Sequence, residues 1–181
     1  MVITVSDACS RGEREDLSGP AIARTLDANG FETIDSVTVP DERPAIEDAI
    51  RRAAGIARLV VTTGGTGIAS RDVTPEATRA VCERLLEGVA ELMRAEGRRE
   101  TPLAVLSRAV CGTVGMSVVL NVPGSPAGAV SSLKAALPVV PHALDLLEGK
   151  TDHGVGSGAS PTEHAHRRQG KGEAKGKVER A

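Results

Sequence analysis

Val60-Val61-Thr62-Thr63-Gly64-Gly65-Thr66-Gly67, closed by Arg71-Asp72-Val73-Thr74-Pro75-Glu76, decides how the rest of the chain is read. Leu59 to Thr63 reads as a buried strand that runs into a glycine loop and then a helix. The glycines and threonines of this stretch make neither a good helix nor a packed core. Glycine lets a backbone turn through φ > 0 and lets a ligand come close to its N–H groups. Thr74 reads as an N-cap and Pro75 as the first helical residue. The chain therefore leaves a strand, wraps something, and enters a helix N-terminus, where N–H groups and the dipole favour an anion. Arg71 adds a cation and Asp72 a carboxylate, which suggests a phosphate and its metal ion. The same residues also suit a tight strand–helix connection with no ligand. The stretch is not the dinucleotide fingerprint, because Gly65-Thr66-Gly67 continues as Ile68-Ala69-Ser70, and no Gly-Lys-Ser/Thr follows to make a P-loop.

Working outward, 181 residues suit one domain with a tail. One Phe and no Trp or Tyr leave no aromatic platform for nucleobases, which argues against single-stranded nucleic-acid binding. Residues 150–181 carry 7 of the 22 Lys/Arg and 4 of the 24 Asp/Glu, leaving residues 1–149 with 15 against 20. An acidic body is not built to hold a nucleic-acid backbone. Cys9, Cys82 and Cys111 lack CxxC spacing, which fits a reducing compartment and neither a disulfide framework nor a zinc site. The apolar runs are short, with no signal peptide or membrane span read from them, so the expected location is cytoplasmic.

In chain order, Val2 to Ser6 reads as a strand and Asp7 to Leu17 as a polar loop, its run Glu13-Arg14-Glu15-Asp16 a solvated face. A helix follows Ser18-Gly19-Pro20, with Ile22 and Leu26 on one side, and ends at Asn29-Gly30. Thr33 to Val39 is a second strand, and Ile46, Ala49, Ile50 and Ala53 mark the inner face of the helix around Pro44. Beyond the glycine loop, Ala77, Val81 and Leu85 form a helical stripe. Gly88 breaks it before a short helix with Val89, Leu92 and Met93. Pro102 to Val114 is ambiguous, with extended chain expected around Leu106 to Ala109. Ser117 to Val122 is a strand, followed by helix with a break at Pro138 or Pro141. Strands alternating with helices imply an α/β fold, a three-layer α/β/α domain with a mostly parallel, mixed central sheet. From His153 onward apolar residues almost vanish, so 150–181 is expected to be a disordered polar tail, and its His153, His164 and His166 have no spacing that supports a metal site.

The apolar pair, Thr62-Thr63-Gly64-Gly65-Thr66-Gly67 and the following Asp72 resemble the signature of the MogA/MoaB family, the molybdopterin adenylyltransferases of molybdenum cofactor biosynthesis. Four further stretches carry the likeness, which extends over residues 1–149. Ser6-Asp7-Ala8-Cys9-Ser10-Arg11-Gly12, continuing to Asp16-Leu17-Ser18-Gly19-Pro20, is similar to the family's first loop, with Ser6, Asp7 and Ser10 offering hydroxyls and a carboxylate. Ser10 and Ser18 suit turn and cap duty equally well. Gly88-Val89-Ala90-Glu91-Leu92-Met93-Arg94 resembles the Gly-x-x-Glu-x-x-Arg helix, although Glu91 also reads as an exposed helix glutamate. Leu106-Ser107-Arg108 matches a Leu-Ser-Arg, with Arg108 placed to pair with a phosphate. Asn121-Val122-Pro123-Gly124-Ser125-Pro126 matches the Asn-x-Pro-Gly-x-Pro turn, which in the family helps hold the phosphate of the pterin. Family members usually carry a few residues before the first strand, which leaves the natural start open.

The resemblance implies a molybdopterin-binding-like fold and catalytic acids at Asp41 and Asp72, although Asp41 alone also reads as a helix cap. Two carboxylates from separate loops suit Mg²⁺ with ATP and molybdopterin as substrates. The glycine turn Gly64, Gly65, Thr66, Gly67 and the turn Asn121, Pro123, Gly124, Ser125, Pro126 would hold the substrates, together with Ser6, Asp7, Ser10, Glu91, Ser107 and Arg108. The family further implies a homotrimer or higher oligomer that passes its product to a molybdenum insertase. A non-catalytic MoaB-type pterin-binding or scaffold protein is the alternative, disfavoured by the presence of both acids. CinA-type proteins share a related domain but carry a further one. Cys111 falls where the family often has a small residue and reads as packing. Removing residues 153–181 is expected to leave the melting temperature unchanged; a fall of several degrees in a thermal melt would show that the tail packs on the domain.

Overall fold

The computed structural model describes residues 1–150, and the expected tail lies outside the described residues. Six strands form one sheet in the order β2-β1-β3-β6-β5-β4. They are β1 (Val2–Val5), β2 (Ser36–Val39), β3 (Leu59–Thr63), β4 (Arg84–Leu85), β5 (Cys111–Val114) and β6 (Ser117–Val122). β2, β1, β3 and β6 run parallel, whereas β5 and β4 are antiparallel additions at one edge. The fold is thus the expected mixed α/β/α sandwich. Because the four parallel strands point one way, Val39, Val5, Thr63 and Val122 all end at the same edge.

Alternation along the strands sorts the core into two layers. Val2, Val61, Val118, Leu120 and Val122 face α2 (Ser18–Asp27), α5 (Glu87–Glu100) and α6 (Pro126–Ala136). Ile3, Val5, Val60 and Val119 face α3 (Arg43–Ala54) and α4 (Thr74–Val81), through Ile46, Ala49, Ile50, Ala53 and Ala77. Both faces of the central strands are covered, which is why these strands read as continuous apolar runs.

Several boundaries differ from the sequence reading. Asp7–Ser10 is a short helical turn, α1, at the head of the polar loop. β2 starts at Ser36 instead of Thr33. Leu85 does not extend the α4 stripe; it sits exposed in the two-residue strand β4. Gly88 does not break a helix but lies in the first turn of α5, where a glycine costs little. Pro102–Leu106 forms a 3-10 turn before the extended chain. A second 3-10 turn, Leu137–Val139, breaks the last helix at Pro138, after which α7 (Val140–Leu147) continues. These joined segments make Pro126–Leu147 long and apolar enough to cross a membrane by length and composition alone. Short apolar runs in the sequence did not suggest this. In the fold Ala129, Leu133, Ala136 and Val140 are spent on the core.

Asn121 is fully buried on β6 and pins the sheet to α4. Its Nδ2 donates to Thr62 Oγ1 at 2.8 Å and to Thr78 Oγ1 at 2.9 Å, and its Oδ1 accepts from Val110 N at 3.2 Å. The side chain expected to hold substrate therefore has no access to one. Asn121→Leu keeps the volume but strands these partners, so unfolding in urea is expected to show a loss of about 3 kcal/mol.

Candidate active site

β3 delivers the glycine loop to the sheet edge. Gly64 has φ 100° and Gly65 φ 59°, the left-handed region that side chains avoid. A Cβ on Gly64 would strike Val5 O, at the end of β1. A Cβ on Gly65 would strike Thr74 Oγ1 and stand 3.2 Å from Asp41 Oδ1, and one on Gly124 would stand 3.2 Å from Gly64 Cα. The loops after β1, β2, β3 and β6 thus close on one another without room for side chains. Thr74 does not cap α4 as expected; the cap position is Val73, without a side-chain bond. Thr74 Oγ1 instead donates to Gly64 O at 2.9 Å and Thr74 N to Gly65 O at 3.2 Å, which ties the helix start to the glycine turn. Pro75 is accordingly the second residue of the helix, not the first as the sequence suggested.

The two acids are fixed by main-chain groups. Asp41 does not cap α3, whose cap is Glu42 with no side-chain bond. Its Oδ2 accepts from Asp7 N at 2.7 Å while its own N donates to Asp7 Oδ1 at 3.0 Å. Asp7 is spent on this exchange and on Arg71, whose Nε and Nη2 reach the Asp7 carboxylate at 2.8–3.0 Å. The bond from Arg71 holds the carboxyl of Asp7 below the usual aspartate range. Burial pushes Asp41 the other way, above it, with the charges of Asp7 and Asp72 adding to the rise. On acidification Asp41 therefore takes up its proton before an exposed aspartate would. Asp72 Oδ2 accepts from Ala69 N at 2.7 Å inside its own loop.

Asp41, Asp72, Ser6, Gly64, Gly65 and Gly124 line one cavity of about 630 Å³. A second, of about 270 Å³, is lined by Thr66, Gly67, Ser107 and Pro123 together with Met93, Leu103 and Leu106. Ser125 borders both, and Pro126 borders the first. The expected residues thus divide between two adjoining spaces.

Other expected residues are elsewhere. Ser10 is exposed and donates its hydroxyl to Asp7 O at 2.9 Å, closing the α1 turn. Ser6, by contrast, lines the larger cavity, and its Oγ accepts from Cys9 N at 3.3 Å and from Arg14 Nη2 at 3.1 Å. Glu91 is exposed on α5 beside a separate cavity of about 170 Å³, with Arg79 and Arg94. Arg108 borders neither main cavity; protein oxygens occupy its guanidinium, including Gly67 O at 2.6 Å and Asp72 O at 2.6 Å. Cys111 is buried, and burial pushes its thiol up to about 12, so it packs and does not attack.

Arg14, Glu15 and Asp16 also line the large cavity, and the sequence reading gave none of these charged residues a site role. Arg14 lines it, although its charge run looked like a solvated face and gave no local signal. Asp16 binds the start of α2, whose cap position is Leu17: its Oδ1 accepts from Ser18 N and Gly19 N, each at 3.0 Å, and its Oδ2 from Thr4 Oγ1 at 2.6 Å. The signal was an aspartate two residues before Ser-Gly-Pro at a helix start.

Helix starts and glycine turns that converge where parallel strands end define a binding domain for an anionic ligand. The chain belongs to the family described as "Probable molybdopterin binding domain", whose model matches residues 1–142, and within it to the MogA/MoaB group. A molybdopterin adenylyltransferase of Helicobacter pylori is 41% identical over 152 residues, covering 82% of this chain and 86% of the relative. The crystal structure of the molybdopterin biosynthesis enzyme MoaB from Thermus thermophilus superposes with a TM-score of 0.77 at 50% identity, covering 82% of this chain and 95% of that one. A MogA structure gives 0.77 at 36% identity, covering 81% and 97%.

Gly65→Val places a branched side chain against Thr74 Oγ1 and Asp41 Oδ1 at φ 59°. Titration calorimetry with ATP is expected to show no binding while the domain remains folded. Wild-type affinity in this variant would move the site off the loop.

Proposed function

We propose that this chain is a molybdopterin adenylyltransferase: the terminal phosphate of molybdopterin attacks the α-phosphorus of ATP, and pyrophosphate leaves. The observation that carries this reading is the pair of cavities meeting at Ser125, the larger lined by carboxylates and glycines, the smaller by apolar side chains and hydroxyls. The first suits a triphosphate and the second a pterin whose phosphate points towards Ser125. A reaction between two bound substrates needs such adjacency. Holding them in line replaces an encounter in solution and supplies several kcal/mol of the barrier. The names and identities of the relatives support the same assignment.

The residues fit a divalent cation. Asp41 and Asp72 are hard oxygen donors on one cavity, each with Oδ2 fixed by a main-chain N–H and Oδ1 without a hydrogen bond among the described residues. No group of three or more His, Cys, Asp or Glu among the described residues is placed to hold a metal alone. Substrate oxygens and water would complete the shell of Mg²⁺, which when bound neutralises triphosphate charge. The remaining work belongs to the protein. Backbone N–H groups of the glycine turn and of the first turn of α6 beyond Pro126, which has none, receive phosphate oxygens. The narrow turns at Gly64 and Gly124 let those groups approach closely. We further propose a cytoplasmic homotrimer or higher oligomer that binds neither membrane nor nucleic acid and hands its product to a molybdenum insertase.

The direct test is incubation of pure protein with ATP, Mg²⁺ and molybdopterin, followed by assay for the adenylylated pterin. Asp72→Asn keeps shape and removes charge, so single-turnover adenylylation is expected to fall on the order of 10²-fold or more. Pterin affinity and folding should hold. Asp41→Asn should behave alike, and the double variant should lose little beyond either single, since both act on one point. Near-wild-type turnover by Asp72→Asn in saturating Mg²⁺ would point instead to the non-catalytic, pterin-binding reading.

A further inference from the structure

The segment that carries Asp72 has little packing of its own. Ile68 is 72% exposed, and Ala69, Ser70 and Arg71 are exposed as well. Such a stretch has few apolar contacts to hold it. Yet both its ends are gripped from one side. Arg108 N donates to Thr66 O at 2.9 Å, Arg108 Nε to Gly67 O at 2.6 Å, and Arg108 Nη2 to Asp72 O at 2.6 Å. Glu76, in the first turn of α4, pairs with Nη1 and fixes the guanidinium from behind. The planar fork of arginine spans two carbonyls and a carboxylate at set angles, which the single ammonium of lysine does not.

We infer that Arg108 is a positioning residue which holds the Gly67–Asp72 loop, and with it the Asp72 carboxylate, in place through the carbonyls of Gly67 and Asp72. The inference rests on the adenylyltransferase reading for its effect on turnover, but not for its effect on the loop. Arg108 borders neither main cavity, whereas its neighbours Ser107 and Ala109 line the smaller one. The same short segment therefore presents Ser107 to one substrate and fixes the acid that serves the other.

The test compares Arg108→Ala and Arg108→Lys with wild type by hydrogen exchange over residues 67–72, by thermal melting, and by kcat and KM for each substrate. Arg108→Ala is expected to speed exchange of these amides at least tenfold. It should lower kcat on the order of 10²-fold, as a misplaced group does, with a smaller change in KM for ATP. Arg108→Lys should recover only part of either effect. Unchanged exchange in a folded Arg108→Ala variant overturns the inference. So does a rise in KM for ATP or molybdopterin with kcat preserved, which is the mark of a phosphate contact. If Arg108→Ala does not fold, Arg108→Lys carries the same readouts with the same two outcomes. A wild-type protein without adenylyl transfer sinks the functional reading alone, since exchange over residues 67–72 still decides the clamp.

Discussion

Everything at the ligand edge depends on how closely Gly64 approaches its neighbours. Its virtual Cβ falls on Val5 O, and Gly124 leaves only 3.2 Å between its own virtual Cβ and Gly64 Cα. Three parallel strands can end this close only if the first residue beyond the middle strand has no side chain. The same closeness lets Gly64 N donate to Val122 O at 3.3 Å, so the turn is tied to the end of β6 as well. Gly64 is therefore explained by packing alone, as the tight strand–helix reading of the loop required. Thr74 completes the arrangement by bonding Gly64 O, so the helix N-terminus cannot drift from the turn.

The charges around this turn are organised by main-chain bonds. Asp41 and Asp7 exchange hydrogen bonds between adjacent loops, and Arg71 fixes Asp7 from the next. Pairs as exposed as Arg71–Asp7 contribute little to stability. Their consequence is geometric: β1, β2 and β3 loops share one set of bonds, so a shift in one moves the acid carried by another.

The layers, the strands β3 and β6, and both glycine turns were legible in the sequence because they rest on local signals: apolar runs of strand length and glycine after a strand. Side-chain roles were less legible wherever they depend on partners far along the chain. Asp41 looked like a cap because Pro44 follows it, yet Asp7, thirty-four residues earlier, claims its carboxylate. Arg108 looked like a phosphate ligand because Leu106-Ser107-Arg108 matches the Leu-Ser-Arg of the family; the carbonyls of Gly67 and Asp72 reach it first. Asn121 carried the family pattern, and its 0% exposure turns that pattern into a core requirement. Arg14 had no local signal, since only the fold of the charged loop brings it over Ser6. Leu85 followed a helical spacing that the short β4 pairing overrode.

The distribution of charge bears on how the site works. Two carboxylates on one cavity repel, and burial already makes the charged form of Asp41 costly. Of the arginines nearby, Arg71 is turned to Asp7 and Arg108 to the loop carbonyls and Glu76, which leaves Arg14, bonded to Ser6 Oγ, as the guanidinium that lines the cavity. The lining is therefore mixed, with the carboxylates of Glu15, Asp16, Asp41 and Asp72 beside the guanidinium of Arg14. An anion alone would meet Arg14 favourably and the acids unfavourably. A cation alone would find two oxygens and no closed shell. A ligand that brings both signs, a polyphosphate with its counter-ion, satisfies the acids and Arg14 together. A lining of both signs is matched by charges paired within the ligand, so the acids that would repel a lone phosphate are the ones its counter-ion meets.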